Sequence, residues 1–159
     1  MSKEMMKLRG FSRVQIVKKG GKIVGDSGWC GPNQVTLQGF EGILYSIGPG
    51  DEPSYRLNSL ALGTGGVPAS NATALAGELS NTAGATLRVA LASISHIGSK
   101  TKRYYGTINP MLIGAGSNIS NIGLFFSSEP NRIFAGNTYA SSALASNQSV
   151  YFTYDIQLG

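Results

Sequence analysis

The sequence predicts a mainly β fold: an antiparallel β-sandwich or jelly-roll-like single domain with one or two short helices and a basic N-terminal arm. A length of 159 residues allows one domain with a single core. From Thr86 onward, five segments rich in β-branched and aromatic residues follow one another with no long helix between them, which favours an antiparallel sandwich. These segments are TLRVALASISHIG, RYYGTINPML, NISNIGLFF, RIFAGNTYASSAL and QSVYFTYDIQL.

Residues 11–29 predict a β-hairpin. Two β-rich runs flank Lys19-Gly20-Gly21, and Val14, Ile16 and Ile23 mark their apolar positions. A Gly-Gly pair between two such runs is a typical hairpin turn.

The segment that begins at Asn33 predicts the main helix. Asn33 is suited to the N-cap, and apolar residues recur at steps of three and four, as on one face of a helix. Gly39 and Gly42 lower the intrinsic helix propensity, so packing must hold this helix in place. The apolar positions are Val35, Leu37, Phe40, Ile43 and Leu44.

A glycine-rich segment, Gly63 to Gly66, follows a predicted strand and precedes a predicted short helix capped by Asn71. This is the order found in phosphate-binding loops. A Walker loop, however, has a lysine after its second conserved glycine, whereas Val67-Pro68 follow here, and a dinucleotide fingerprint belongs to a βαβ unit. We therefore interpret the segment as a turn. Residues 48–53, GPGDEP, form a predicted turn-rich linker before the strand that ends at Gly63.

The last segment alternates along its length, as a strand with one buried face does. Val150, Phe152, Tyr154 and Ile156 fall on the predicted inner face. The preceding SSALASNQS, residues 141–149, is predicted to be an exposed loop.

Basic residues are concentrated near the start of the chain, where Glu4 is the single acidic residue of the first 22. Residues 23–159 hold six basic and seven acidic residues. We divide the chain into a basic arm and hairpin (1–32), a helix and linker (33–56) and a β-sandwich body (57–159). The basic residues of the arm are Lys3, Lys7, Arg9, Arg13, Lys18, Lys19 and Lys22.

Groups suited to catalysis are sparse. His96 is the only histidine, and Cys30 is the only cysteine, so a disulfide within the chain and a multi-histidine metal site are excluded. Cys30 with His96 as its base is the one nucleophilic pair that the composition offers. The eight acidic residues are scattered, and only Asp51 and Glu52 are adjacent. We predict no enzymatic activity, no cofactor and no metal.

One internal segment suggests nucleic acid as a partner. SKTKRYYG, residues 99–106, places Lys100, Lys102 and Arg103 beside Tyr104 and Tyr105. Proteins that bind single strands combine basic and aromatic residues in this way. The start of a β-strand explains the two tyrosines equally simply, and we favour that interpretation.

The order of several motifs resembles structural proteins of tailed bacteriophages. The segments are LALGTGGVPASNATALAGEL, TLRVALASIS, NISNIGLFFSS and RIFAGNTYASSALASNQSVYFTYDIQL. They match a GLGTG turn, a short T-x-L-x-x-E-L helix, a GLF strand and a final strand pair with alternating aromatics. The likeness covers residues 57–158, and it departs where Asn121-Ile122 replace an expected acidic residue before GLF.

The resemblance implies a virion component, most simply a capsid decoration (cement) protein on the head surface, assembled in the host cytoplasm. Its expected partners are the major capsid protein and copies of itself, as a homotrimer, with no membrane and no nucleic acid. We assign capsid docking to Lys3, Lys7, Arg9 and Arg13. A tail-fibre or receptor-binding module, or a nucleic-acid-binding protein acting through the arm, are the alternatives.

Overall fold

The computed structural model of the chain describes residues 7–48, 55–114, 116–126 and 132–159. These residues form two five-stranded antiparallel sheets that enclose a shared apolar core, together with one α-helix. The prediction of a mainly β, antiparallel sandwich is confirmed.

The first sheet, called sheet A, has the strand order β2-β1-β10-β7-β6. Its strands are β1 (Leu8–Val17), β2 (Ile23–Asp26), β6 (Ser93–His96), β7 (Thr101–Ile108) and β10 (Ser149–Leu158).

The second sheet, called sheet B, has the order β3-β9-β8-β4-β5. Its strands are β3 (Gln34–Val35), β4 (Leu57–Gly63), β5 (Arg88–Ala90), β8 (Ser117–Phe126) and β9 (Ile133–Leu144). Helix α1 (Leu37–Ile47) follows β3, and a short 3-10 helix (Pro110–Leu112) follows β7.

The first strands form the predicted hairpin. β1 pairs with β2, and the turn between them contains Gly20 and Gly21, both with positive φ angles of 97° and 88°. Glycine adopts this left-handed backbone at little cost. On its other side, β1 pairs with β10 over its whole length, from Leu8 opposite Leu158 to Val17 opposite Ser149. Residues 8–17 are therefore integral to sheet A.

The alternation in β10 is confirmed, because Val150, Phe152, Tyr154 and Ile156 are all buried in the core between the sheets. Asp155 is also buried, although it points to the outer face of sheet A. The alternation alone does not indicate that burial. The burial of Asp155 depends on its ion pair with Arg103.

Sheet B is buried on both faces, which explains the continuous apolar run at the end of β8. One face lies in the main core, and the other carries a second small cluster of Ala61, Phe125 and Ile133, covered by Leu75. A strand covered on both sides needs no alternation.

The predicted helix after Asn71 is wrong: no helix is found between residues 71 and 79, all of which the structure describes. Instead, this segment pairs with the glycine-rich turn through Thr64 N–H to Gly77 O (3.0 Å) and Gly65 N–H to Ala76 O (3.1 Å). Gly77 has a positive φ of 64°, which a helix cannot accommodate. Gly63 thus ends β4 as predicted, and the chain bends at Thr64 and Gly65 while it stays hydrogen-bonded to residues 76 and 77.

Two predicted boundaries also change. The segment TLRVALASISHIG is divided between β5 in sheet B and β6 in sheet A. The predicted loop SSALASNQS is wrong at both ends, because residues 141–144 belong to β9 and Ser149 begins β10. A four-residue turn remains, closed by Gln148 N–H to Ala145 O at 3.1 Å.

Candidate functional site

Helix α1 packs on sheet B through its glycines. Thr36 is the N-cap: its hydroxyl accepts the Gly39 N–H (3.0 Å) and donates to Ile133 O (2.5 Å). A Cβ at Gly39 would collide with the carbonyl oxygen of Phe134. A Cβ at Gly42 would collide with the ring of Phe126. These two glycines are the buried residues of the helix.

Four large apolar residues of α1 face outward, while Ile43 packs against the core. Leu37, Phe40, Leu44 and Ile47 are 62%, 49%, 71% and 76% exposed. Their steps of three, four and three residues place them in one stripe along the helix, the spacing of a coiled-coil seam. We call these four residues the α1 stripe.

One prediction about this helix is therefore wrong. The N-cap is Thr36, whereas the Asn33 side chain contacts the hydroxyl of buried Tyr154. The helix packs through Gly39 and Gly42, because only glycine allows the backbone to approach sheet B this closely. Apolar spacing identifies one face of a helix, but it does not tell whether that face meets the core or a partner.

A cavity of about 440 Å³ opens between the two sheets at the end where α1 lies. Its walls include Ile43 of α1, Phe126 and Phe134 of sheet B, and Tyr104 and Ile156 of sheet A. Tyr104 is buried, and burial raises the pKa of its hydroxyl to about 12. The floor of the cavity is therefore apolar, with neutral groups at ordinary pH.

The rim of this cavity is basic. His96, Lys100 and Lys102 lie on it, and no acidic residue is among the described residues that line it. Lys102 is opposite Ile156 and His96 in the sheet register, two residues before buried Tyr104. Lys102 therefore takes a core-facing position of β7, at the open end of the sandwich.

Of the four residues assigned to docking, the structure describes Lys7, Arg9 and Arg13. Lys3 lies outside the described residues, and Lys7 and Arg9 are exposed at the start of β1. Arg13 forms a bidentate salt bridge with Asp26, with Nε–Oδ1 and Nη2–Oδ2 distances of 3.0 Å and 2.5 Å.

The remaining lysines of the predicted arm lie at the opposite end of sheet A from Lys7. Lys18, Lys19 and Lys22 belong to the β1–β2 turn, next to the pairing of Val17 with Ser149. Lys7, by contrast, pairs through its backbone with Gly159, near Lys100. The described lysines of the predicted arm are thus divided between two ends of sheet A.

Cys30 and His96, the one nucleophile–base pair that the composition allows, lie far apart in the structure. Cys30 pairs with Ser12 of β1, while His96 is in β6 at the far edge of the sheet. Strands β1, β10 and β7 lie between them, a separation of roughly 19 Å at about 4.8 Å per strand. A direct contact between Cys30 and His96 is excluded.

Three of the scattered carboxylates form ion pairs with arginines. Asp26 binds Arg13, Glu78 binds Arg88 (2.7 Å), and Asp155 binds Arg103 (2.7 Å). The Arg88 guanidinium also lies 3.8 Å from the centroid of the Phe125 ring, covering the outer face of sheet B. Glu41 is exposed on α1, and Glu4, Asp51, Glu52 and Glu129 lie outside the described residues.

A shallow depression of about 250 Å³ lies on the outer face of sheet A. Trp29, 47% exposed, lies 5.1 Å from the Arg103 guanidinium, measured to its ring centroid. Arg103 donates to both carboxylate oxygens of Asp155 at 2.7 Å, and this hydrogen bonding raises the pKa of the guanidinium. The partly covered ion pair explains why Asp155 is buried on an outer face.

The segment SKTKRYYG contains the predicted strand start, since β7 begins at Thr101. Its two tyrosines point to opposite faces: Tyr104 is in the core, and Tyr105 lies on the outer face beside Tyr151. They do not form a paired stacking surface.

Among the described residues, no helix is long and apolar enough to cross a membrane, and no cluster of three or more His, Cys, Asp or Glu side chains could hold a metal ion. Comparison of the chain with protein-family models, curated proteins and solved structures finds no match.

Proposed function

We propose that the chain is a non-enzymatic virion structural protein, a capsid decoration (cement) protein that binds the major capsid protein on the head surface. The observation that carries the proposal is the α1 stripe. Only 13% of residues are charged, and the single α-helix of the described residues presents Leu37, Phe40, Leu44 and Ile47 to solvent. A contiguous apolar patch of this kind is typical of an interaction surface.

The geometry of α1 supports assembly as the role of this stripe. Gly39 and Gly42 fix the helix so closely on sheet B that the stripe cannot turn inward without lifting α1 off the sheet. The coiled-coil spacing suits packing against another helix, and a second copy supplies one. A homotrimer would match the local threefold positions of an icosahedral shell, which is the arrangement that the resemblance implies.

Capsid docking remains assigned to Lys3, Lys7, Arg9 and Arg13. Lys7 and Arg9 are exposed and suited to contact an acidic surface. Arg13 already binds Asp26, so its replacement removes an internal ion pair as well. We therefore expect that Lys7→Ala with Arg9→Ala weakens attachment to empty heads in a salt-sensitive manner and leaves the fold intact.

Cryo-electron microscopy of the parent particle tests the proposal. Density for this chain on the head, in hundreds of copies, is the expected result. Density only at the tail, in a few copies, would contradict it and support the fibre alternative.

The outer depression of sheet A favours a receptor-binding module as the second candidate. An exposed Trp29 beside Arg103, Asp155 and Gln157 combines an aromatic face with polar groups, which suits a sugar ring. Glycan-array binding that is lost in Trp29→Ala, together with a tail location, would establish this role. The nucleic-acid alternative instead requires DNA binding that weakens steeply with salt.

A further inference from the structure

The cavity at the end of the sandwich has the size and lining of a ligand site. A volume of about 440 Å³ is within the range of small-molecule pockets. Ile43, Leu57, Phe126, Phe134 and Ile156 supply apolar walls from both sheets and from α1.

The charged side chains among the described residues that line the cavity are lysines. Lys100 and Lys102 lie on the rim, no acidic residue is among the described residues lining it, and neither lysine has an ion-pair partner within the described part of the chain. Lys102 is the more informative, because its register places it on the core-facing side of β7, where Tyr104 and Ile108 are buried. A lysine at such a position can lay its aliphatic stem along the apolar wall and keep its ammonium at the mouth.

An apolar floor below a mouth that carries Lys100 and Lys102 is complementary to a molecule with the opposite arrangement: an apolar body that ends in an anion. A neutral apolar molecule would leave the exposed ammonium groups bound only to water. A small inorganic anion would leave the floor unfilled.

We propose that this cavity binds an amphipathic carboxylate of the fatty-acid class. Its hydrocarbon part lies between Ile43, Phe126 and Phe134, and its carboxylate accepts hydrogen bonds from Lys102 and Lys100. The proposal does not depend on the virion function.

Calorimetric titration of the full chain with decanoate, below its micelle concentration, tests the proposal. The matched probe is decanol, which has the same chain length and no charge. We expect saturable binding of decanoate at one site per chain, and binding of decanol that is weaker by about tenfold, since a charge-assisted hydrogen bond is lost.

Two variants test the assigned contacts. Lys102→Met keeps an unbranched apolar side chain and removes the charge, so it should weaken decanoate binding about tenfold and leave decanol binding unchanged. Ser46→Phe fills the cavity from an exposed position on α1 and should abolish binding of both molecules. Lys22→Met, at the opposite end of sheet A, is the control and should bind both as the unmodified chain does.

The thermal transition of each variant is measured first, so that only folded chains are compared. Absence of saturable decanoate binding would overturn the proposal. Equal affinities for decanoate and decanol, or unchanged binding in folded Ser46→Phe, would also overturn it.

Discussion

The backbone of Gly39 in helix α1 lies directly against the carbonyl oxygen of Phe134 in strand β9, with no space for a Cβ between them. This contact, with the equivalent approach of Gly42 to Phe126, sets how the helix is oriented on sheet B. It leaves the α1 stripe on the outer side.

Replacing Gly39 by alanine should destabilise the fold, although alanine has the higher helix propensity. The new methyl group meets backbone that cannot rotate away, so overpacking should lower the free energy of unfolding by about 1 to 3 kcal/mol. Denaturant unfolding measures the change. Gly66→Ala is the control, because a Cβ at Gly66 meets nothing within 4 Å. Equal stability of Gly39→Ala and the unmodified chain would show that α1 is not packed in this way.

At acidic pH, the free energy of unfolding should depend on the protonation of Asp26. The Arg13 guanidinium, with further hydrogen bonds from Gly28 N–H and Gln15, holds the pKa of this carboxyl well below its usual range. A lowered folded-state pKa contributes stability above the unfolded-state value of about 3.9, and that contribution is lost as the pH falls.

The unmodified chain should therefore lose stability more steeply than Asp26→Asn between about pH 5 and pH 2. The difference should be small, because the Arg13–Asp26 pair is solvent-exposed. Urea unfolding of both proteins at a series of pH values measures it, and parallel profiles would contradict the assignment.

At alkaline pH, the free energy of unfolding should depend on the ionisation of three buried tyrosines. Burial raises the pKa of Tyr104 to about 12 and raises the pKa of Tyr139 and Tyr154 further above the usual value. Folding thus favours the protonated phenols. Their contribution to stability is complete below the unfolded-state pKa of about 10 and is lost as the pH rises through the folded-state values.

Absorbance of tyrosinate, followed during an alkaline titration, should show a late step that coincides with the loss of β-structure in circular dichroism. Tyr104→Phe should reduce that step, since one of the buried phenols is removed. Ionisation of all tyrosines near pH 10 in a chain that stays folded would contradict the burial of these residues.

The sequence predicts the strands well where one face is buried, as in β10, because alternation directly reflects a two-sided environment. It predicts that α1 is a helix but not which face packs on the sheet, since the same apolar spacing describes a helix that packs inward and one that faces a partner. Here Gly39 and Gly42, which lower the intrinsic helix propensity, are the packing face of the helix. The segment 71–79 misleads for another reason: its pairing with residues 63–66 is a tertiary contact that overrides local propensity.

The residues that form the cavity mouth also could not be predicted from the sequence. His96 and Lys102 are adjacent only because β6 pairs with β7, and Ile43 joins them from a helix more than fifty residues away. The even spacing that puts Lys102, Tyr104 and Ile108 on the same face of β7 is the one local signal. To use it, one must know which face of β7 is buried.

Sedimentation equilibrium of the full chain at micromolar concentration, with and without Leu37→Gln and Leu44→Gln together, tests most directly whether the protein assembles through the α1 stripe. The unmodified chain should form an oligomer, a trimer in our proposal, and the double variant should be monomeric with an unchanged circular dichroism spectrum. Met111→Gln, an exposed apolar position on the 3-10 helix, is the control and should assemble normally. A monomeric unmodified chain, or a double variant that assembles as the unmodified chain does, would contradict the account.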